Sequence, residues 1–174
     1  PTRRSSDLYD GNGRTGRILN ILYLVLKKML DYPVLYLSRY IISERQTYYQ
    51  LIQDIHDSGH WENWIVFLLR GVERTANQTI ELINQIRIQM QEMKSAIQSE
   101  YPRWVSQDLI NTLFKHPYTR IEFIERDLSV TRLTASKYLN GLAKKGLLTK
   151  HKIGRNNYYV NFRLFDLFMK GIKE

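Results

Sequence analysis

The sequence predicts a mainly α-helical protein whose C-terminal part also contains a small β-hairpin. Apolar residues recur at spacings of three and four through most of residues 14–100, which is the period of an amphipathic helix. Near the C-terminus, two short strand-like segments flank a turn, which is the pattern of a hairpin. Hydrophobic residues make up 43% of the 174 positions and charged residues 25%, a composition typical of folded globular proteins.

Four helices are predicted before residue 101, and turn, proline or cap signals separate them. They cover residues 14–30, 34–42, 43–56 and 61–100. Ser43 is expected to be the N-cap of the third helix, and residues 57–59 are expected to end it. Tyr101-Pro102-Arg103 follows the fourth helix, and we expect a domain boundary there because the residue before a proline disfavours helix.

The late part of the fourth helix carries an apolar seam whose members are spaced alternately three and four apart. These residues are Ile83, Ile86, Met90, Met93 and Ile97. Such a seam packs against another helix, in the same chain or in a partner. We expect core packing within the chain, and a homodimer through the long helix is the alternative.

Residues 101–174 carry most of the positive charge. They hold 14 Lys and Arg against 6 Asp and Glu, so they account for +8 of the total net charge of +9. Between Leu128 and Phe165 there is no acidic residue, which suggests that this half contacts a polyanion; a solvated basic face is the alternative. Helices are predicted at residues 105–115, 119–127, 132–145 and 164–172, with a hairpin turn at 154–157 before the last of them.

The composition excludes several kinds of site. There is no cysteine, which removes disulfides, thiolate zinc sites and cysteine nucleophiles. Only four histidines are present, so a multi-histidine metal site is not expected. No apolar run reaches the roughly 18 residues of a membrane span, and no signal peptide opens the sequence. We therefore expect a cytoplasmic protein without a membrane partner.

A glycine-rich segment directly before the first helix is the strongest local signal. It reads Asp10-Gly11-Asn12-Gly13-Arg14-Thr15-Gly16-Arg17. Glycines at Gly11 and Gly13 can take a positive φ, so that successive backbone N–H groups point into one concavity at a helix N-terminus, where phosphate is favoured. Arg14 and Arg17 add charge suited to phosphate oxygens, and Asp10 supplies an oxygen ligand of the kind that Mg²⁺ prefers. The alternative is an ordinary turn that caps a helix.

This segment resembles the active-site loop of the Fic (filamentation induced by cAMP) family, whose motif reads His-Pro-Phe-x-Asp/Glu-Gly-Asn-Gly-Arg-x-x-Arg. Residues 35–41, Tyr48-Tyr49 and residues 61–65 also resemble bacterial members of the family. The family transfers AMP from ATP to a hydroxyl side chain of a target protein. The resemblance implies that Asp10 binds Mg²⁺ and that Tyr49 lies against the adenine, although a tyrosine there fits a core position equally well. The residues that it implies for phosphate binding are Gly11, Asn12, Gly13, Arg14, Gly16 and Arg17.

One departure from the motif concerns catalysis. Ser6 stands where the family has its catalytic histidine, and Asp7 and Leu8 stand where it has proline and phenylalanine. In the family the histidine is the general base, a role that serine cannot take because its pKa is far from neutrality. The resemblance also implies helices upstream of the motif. We therefore expect a C-terminal part of a Fic protein, cut inside its motif and inactive, with residues 1–8 non-native and residues 9–100 belonging to the Fic domain.

Residues 101–174 resemble the winged helix-turn-helix domain found at the C-terminus of many bacterial Fic proteins. We expect residues 103–174 to fold alone and to bind duplex DNA, although such domains also serve as protein-docking modules. The expected phosphate contacts are Lys137, Lys144, Lys145 and Arg155, and the expected base contacts are Thr131, Arg132, Thr134 and Tyr138. The alternative function for the whole chain is a DNA-binding transcriptional regulator in which the nucleotide loop is vestigial or sensory.

Overall fold

A computed structural model describes residues 12–173, with the backbone alone for Asn12, Arg14 and residues 170–173. Two compact units lie on either side of a boundary between residues 81 and 82. The predicted fold class is confirmed, because the chain is mainly helical with one small antiparallel sheet. The helices are α1 (Asn12–Leu26), α2 (Leu37–Ser43), α3 (Arg45–Ser58), α4 (Glu62–Glu100), α5 (Gln107–Lys115), α6 (Ile121–Leu128), α7 (Arg132–Lys144) and α8 (Phe162–Lys173). The strands are β1 (Tyr118–Thr119), β2 (Thr149–Ile153) and β3 (Asn156–Val160).

Several helix ends in the first unit differ from the prediction, and α2 begins at Leu37, three residues later than predicted. Helix α1 stops at Leu26, four residues early, and Lys28 then takes a left-handed φ of 55° that cannot continue the helix. The expected N-cap at Ser43 is wrong, because its hydroxyl donates to the Tyr40 carbonyl and so closes α2. Helix α3 starts at Arg45 and ends at Ser58, two residues later than predicted. Gly59 is its C-cap, and a φ of 73° suits a glycine.

The core of the first unit is small and aromatic. Leu35, Leu37 and Ile41 are buried against Phe67 of α4. The Tyr40 ring lies 4.9 Å from the Phe67 ring, and Gly71 makes room for it, since a Cβ there would lie 2.4 Å from Tyr40 Cδ1. Helix α2 thus buries Leu37 and Ile41 against the start of α4.

Helix α4 is as long as the sequence predicts, with 39 residues. Its last turns belong to the core of the second unit, where Met93 and Ile97 are 1% and 0% exposed. Met90 packs against the same core, and of the five seam residues only Ile83 is exposed. Core packing within the chain therefore accounts for the late part of the seam.

The second unit packs α5, α6 and α7 against a three-stranded sheet of order β1-β3-β2. Hydroxyl caps begin two of these helices: Ser106 accepts from Leu109 N, and Thr131 accepts from Thr134 N. The hairpin turn is tighter than predicted, since Ile153 already pairs with Asn156. Strand β1 was not predicted, and Thr119, expected in a helix, pairs with Tyr159 in the sheet. Among residues 12–173, no helix is both long enough and apolar enough to cross a membrane.

Candidate nucleotide cavity and basic surface

The first unit contains a cavity of about 240 Å³ between the start of α1 and the helices α2 and α3. Among the residues that the structure describes, its lining combines two arginines with two tyrosines and contains no carboxylate. The lining residues are Arg17, Ser38, Ile41, Ile42, Arg45, Tyr48 and Tyr49. Two residues that the sequence singled out for nucleotide binding, Arg17 and Tyr49, are therefore brought to one cavity.

Arg17 enters this cavity from α1 with an unsatisfied donor. Its Nε atom is buried and has no hydrogen-bond partner among the described residues. Its Nη1 atom lies 3.6 Å from the position that a Cβ on Gly13 would take, so the guanidinium folds back towards the start of α1. A buried N–H without an acceptor is costly, and a phosphate oxygen is an acceptor that would satisfy it with a charge-assisted bond.

Tyr49 presents its ring at the outer part of the cavity. The side chain is 57% exposed. The ring is held by two neighbours, because Tyr48 packs against it edge-on at 5.4 Å and the Arg45 guanidinium lies 5.7 Å from its centroid. An aromatic ring that is fixed in place but still exposed can stack on another flat ring, such as a nucleobase.

The structure describes only some of the remaining residues of the glycine-rich segment. Asn12, Gly13, Arg14 and Gly16 occupy the first turns of α1, so the expectation of a positive φ at Gly13 is wrong. The helix begins two residues earlier than predicted, and Gly13 therefore has helical dihedral angles. Apart from the backbone of its own helix and its chain neighbours, no described atom lies within 4 Å of a Cβ built on Gly16, which leaves open space beside that turn. Ser6, Asp10 and Gly11 lie outside the described residues.

The cavity also contains residues that the sequence analysis did not name. Arg45 and Ser38 both line it, beside Arg17 and Tyr49. Arg45 could have been found from the sequence, because it precedes Tyr49 by four residues on a predicted helix and such pairs share a face. Ser38 gave no comparable signal.

A metal site is not formed by the part of the chain that the structure describes. No group of three or more His, Asp or Glu side chains is close enough there to hold an ion. The expected Mg²⁺ ligand, Asp10, lies outside that part.

In the second unit, α7 and the hairpin present exposed basic side chains. Lys137 and Lys144 are exposed on α7, and Lys152 and Arg155 are exposed on the hairpin. Lys150 joins the two elements, since its Nζ donates to Asn140 Oδ1 at 2.8 Å and the Tyr159 hydroxyl donates to the same oxygen at 3.0 Å. A strand and a helix of like charge are thus held side by side.

Several of the residues expected to contact DNA already have partners within the second unit. The Tyr138 ring lies 4.9 Å from the Trp104 ring, and Arg132 pairs with Glu125 at 3.5 Å. Lys145 pairs with Glu100, and its hydrogen bond to that carboxylate raises the pKa of its ammonium group. The hydroxyls of Thr131 and Thr134 lie 3.0 Å apart at the start of α7.

Residues 89–164 match a family model described as the C-terminal domain of SoFic-like protein adenylyltransferases. This match supports the Fic family. The matched range runs from the last turns of α4 to the start of α8 and so lies within the second unit. A Fic-type adenylyltransferase implies ATP as a substrate and a protein as the acceptor of AMP.

Proposed function

We propose that the first unit is the C-terminal part of a Fic domain and that its cavity receives ATP. The observation that carries this proposal is the convergence of Arg17 and Tyr49, which are far apart in the sequence, on one cavity. The resemblance of residues 10–17 to the Fic motif assigns phosphate to Arg17 and adenine to Tyr49. The match of residues 89–164 to a SoFic-like domain supports the same family from a separate part of the chain.

The parent enzyme then transfers AMP from ATP to a hydroxyl of a target protein. In this proposal Asp10 binds Mg²⁺, while Arg14 and the backbone of Gly11, Gly13 and Gly16 contact the phosphates together with Asn12. The general base is absent, since Ser6 stands in its place. The chain of 174 residues is therefore proposed to bind the nucleotide without transferring it.

Binding of Mg·ATP to this chain is expected at a dissociation constant of about 1 mM, near −4 kcal/mol. The cavity of about 240 Å³ is smaller than the roughly 300 to 1,000 Å³ of a typical ligand site, so it encloses only part of a nucleotide. In the Fic family, helices that precede the motif in the sequence also line the pocket. A titration followed by NMR measures the affinity. Low-micromolar binding would show that those helices do not shape the pocket.

We further infer that residues 101–174 form a winged helix-turn-helix domain. The support is the order of elements, in which a helix, a short strand, two helices and a hairpin follow one another. The hairpin strands and β1 form one antiparallel sheet of order β1-β3-β2, with Tyr159 fully buried beneath α7. In this inference α7 is the recognition helix and the turn of β2 and β3 is the tip of the wing.

Duplex DNA is the second candidate partner, and one observation favours it. Lys137 and Lys144 on α7 and Lys152 and Arg155 on the hairpin are all exposed, with no acidic residue between Leu128 and Phe165 to offset them. Phosphate contacts depend on such unopposed charge. Sequence preference would fall to Arg132 and the hydroxyls of Thr131 and Thr134, since Tyr138 packs on Trp104.

If about four phosphates are neutralised, log affinity for duplex DNA should fall against log salt with a slope of about −3.6. Lys144→Ala should weaken binding to all sequences alike and flatten that slope by about one unit, because it removes one phosphate contact. Lys115→Ala is the matched control, since Lys115 lies on α5 and pairs with Asp127. Fluorescence anisotropy over a salt series measures both variants. Absence of binding to mixed-sequence duplex at low salt would show that DNA is not a partner. The domain would then be interpreted as a protein-docking module.

A further inference from the structure

We propose that Arg45 is a second phosphate ligand of the cavity in the first unit. This inference rests on the proposed function, in which that cavity receives a nucleoside triphosphate. The resemblance to the Fic motif assigns phosphate contacts only to residues 11–17, and Arg45 lies on a different helix, at the first position of α3. The argument comes from charge, from position in the helix and from the neighbouring ring.

The charge in the cavity is unbalanced. Arg17 and Arg45 both line it, and within the described part of the chain no lining residue is acidic and neither arginine forms an ion pair. The carboxylate next to Arg45 in the sequence, that of Glu44, pairs instead with Arg74 at 3.4 Å. Two cations at one cavity repel each other, and a bound polyanion would attract both of them.

The position of Arg45 in α3 adds to this imbalance. A cation in the first turn opposes the positive end of the helix dipole, and α3 has no acidic side chain in that turn. Glu44 is the N-cap residue but makes no side-chain capping bond. The arrangement is unfavourable for the empty protein, and a phosphate beside Arg45 would compensate both the side chain and the helix end.

The neighbouring ring orients the guanidinium. Arg45 lies 5.7 Å from the centroid of Tyr49, close enough for a cation–π contact that holds its planar fork. Its N–H groups are not used by any described hydrogen bond, so they are available to phosphate oxygens. The same ring is the proposed stacking surface for adenine, which places Arg45 and Tyr49 on one ligand.

The test compares ATP and adenosine on the full chain by NMR titration, for the wild type, Arg45→Gln and Arg39→Gln. Arg39 is the matched control, because it is exposed on α2 of the same unit and does not line the cavity. Arg45→Gln should weaken ATP about fivefold, the usual scale for one exposed charge-assisted contact, and should leave adenosine within about twofold. Arg39→Gln should leave both ligands within about twofold, and Arg45→Lys should lie between wild type and Arg45→Gln for ATP.

The outcomes separate the two proposals. A wild type that binds neither ligand overturns the proposed function and this inference with it. A wild type that binds ATP, together with an Arg45→Gln variant that binds it equally well, overturns the inference alone. Equal losses for ATP and adenosine also overturn it, because they would show that Arg45 acts on the base through Tyr49. Circular dichroism of each variant establishes that the helices are retained.

Discussion

A chain shortened to residues 103–174 is expected to lose most of its stability, whereas residues 82–174 should fold. The shorter piece lacks Met93 and Ile97 of α4, which are 1% and 0% exposed in the core of the second unit. Removing one large buried side chain costs about 2 to 5 kcal/mol, and a whole domain has only about 5 to 15 kcal/mol. The expectation that residues 103–174 fold alone is therefore replaced by one in which the domain includes the end of α4.

Urea unfolding of both pieces, followed by circular dichroism, measures the difference. A pair of point variants in residues 82–174 isolates the contribution of the core: Ile97→Ala should cost about 3 kcal/mol. Ile88→Ala should change stability by less than about 0.5 kcal/mol, because Ile88 is 58% exposed on the same helix. Equal urea midpoints for residues 82–174 and 103–174 would contradict the assignment of the last turns of α4 to the core of the second unit.

Transfer of AMP by the chain of 174 residues is expected to be undetectable, and Ser6→His alone should not restore it. A positioned general base contributes about 10²- to 10⁴-fold to a rate, which is the part that serine cannot supply. The variant still carries Asp7 and Leu8 in place of the motif's proline and phenylalanine. Incubation with ATP labelled on the α-phosphate, followed by autoradiography, measures transfer.

A Fic protein that carries the complete motif, including its histidine, provides the control for this prediction. It should label its target, and replacing that histidine by serine should abolish the label. Labelling by the Ser6→His chain would contradict the prediction, because it would show that the remaining departures from the motif are tolerated. Binding of duplex DNA by a chain that labels nothing would instead favour a transcriptional regulator.

Periodicity predicts the helices and the hairpin, but it misses the shortest strand. The 39 residues of α4 carry a strong helical period and clear end signals, so both ends fall within one residue of the prediction. Strand β1 has only two residues and exists because Tyr118 and Thr119 pair with Val160 and Tyr159, far along the chain. Pairing with a distant strand leaves no pattern in the local sequence from which β1 could be predicted. The early end of α1 depends on a left-handed φ at Lys28, a residue type that does not signal it.

The residues of the candidate cavity also differ in how far the sequence predicts them. Arg17 was named by its motif, whereas the role proposed for Arg45 depends on the fold that brings α3 to the start of α1. Position near the start of α7 predicts a base contact for Tyr138, but its ring packs on Trp104. The spacing of Tyr138 with Ala135, Leu139 and Leu142, which are all buried, already indicates the inward face.

The packing of Trp104 gives the second unit an optical signal of its own. Its ring stacks on Tyr101 at 3.8 Å and fits against α7 where Gly141 has no side chain, since a Cβ there would lie 2.6 Å from Trp104 Cζ3. The other two tryptophans, Trp61 and Trp64, lie in the first unit. With both replaced by phenylalanine, the tryptophan emission of the full chain comes only from Trp104, which packs against α7. Any event that loosens α7 then changes the fluorescence without an added label.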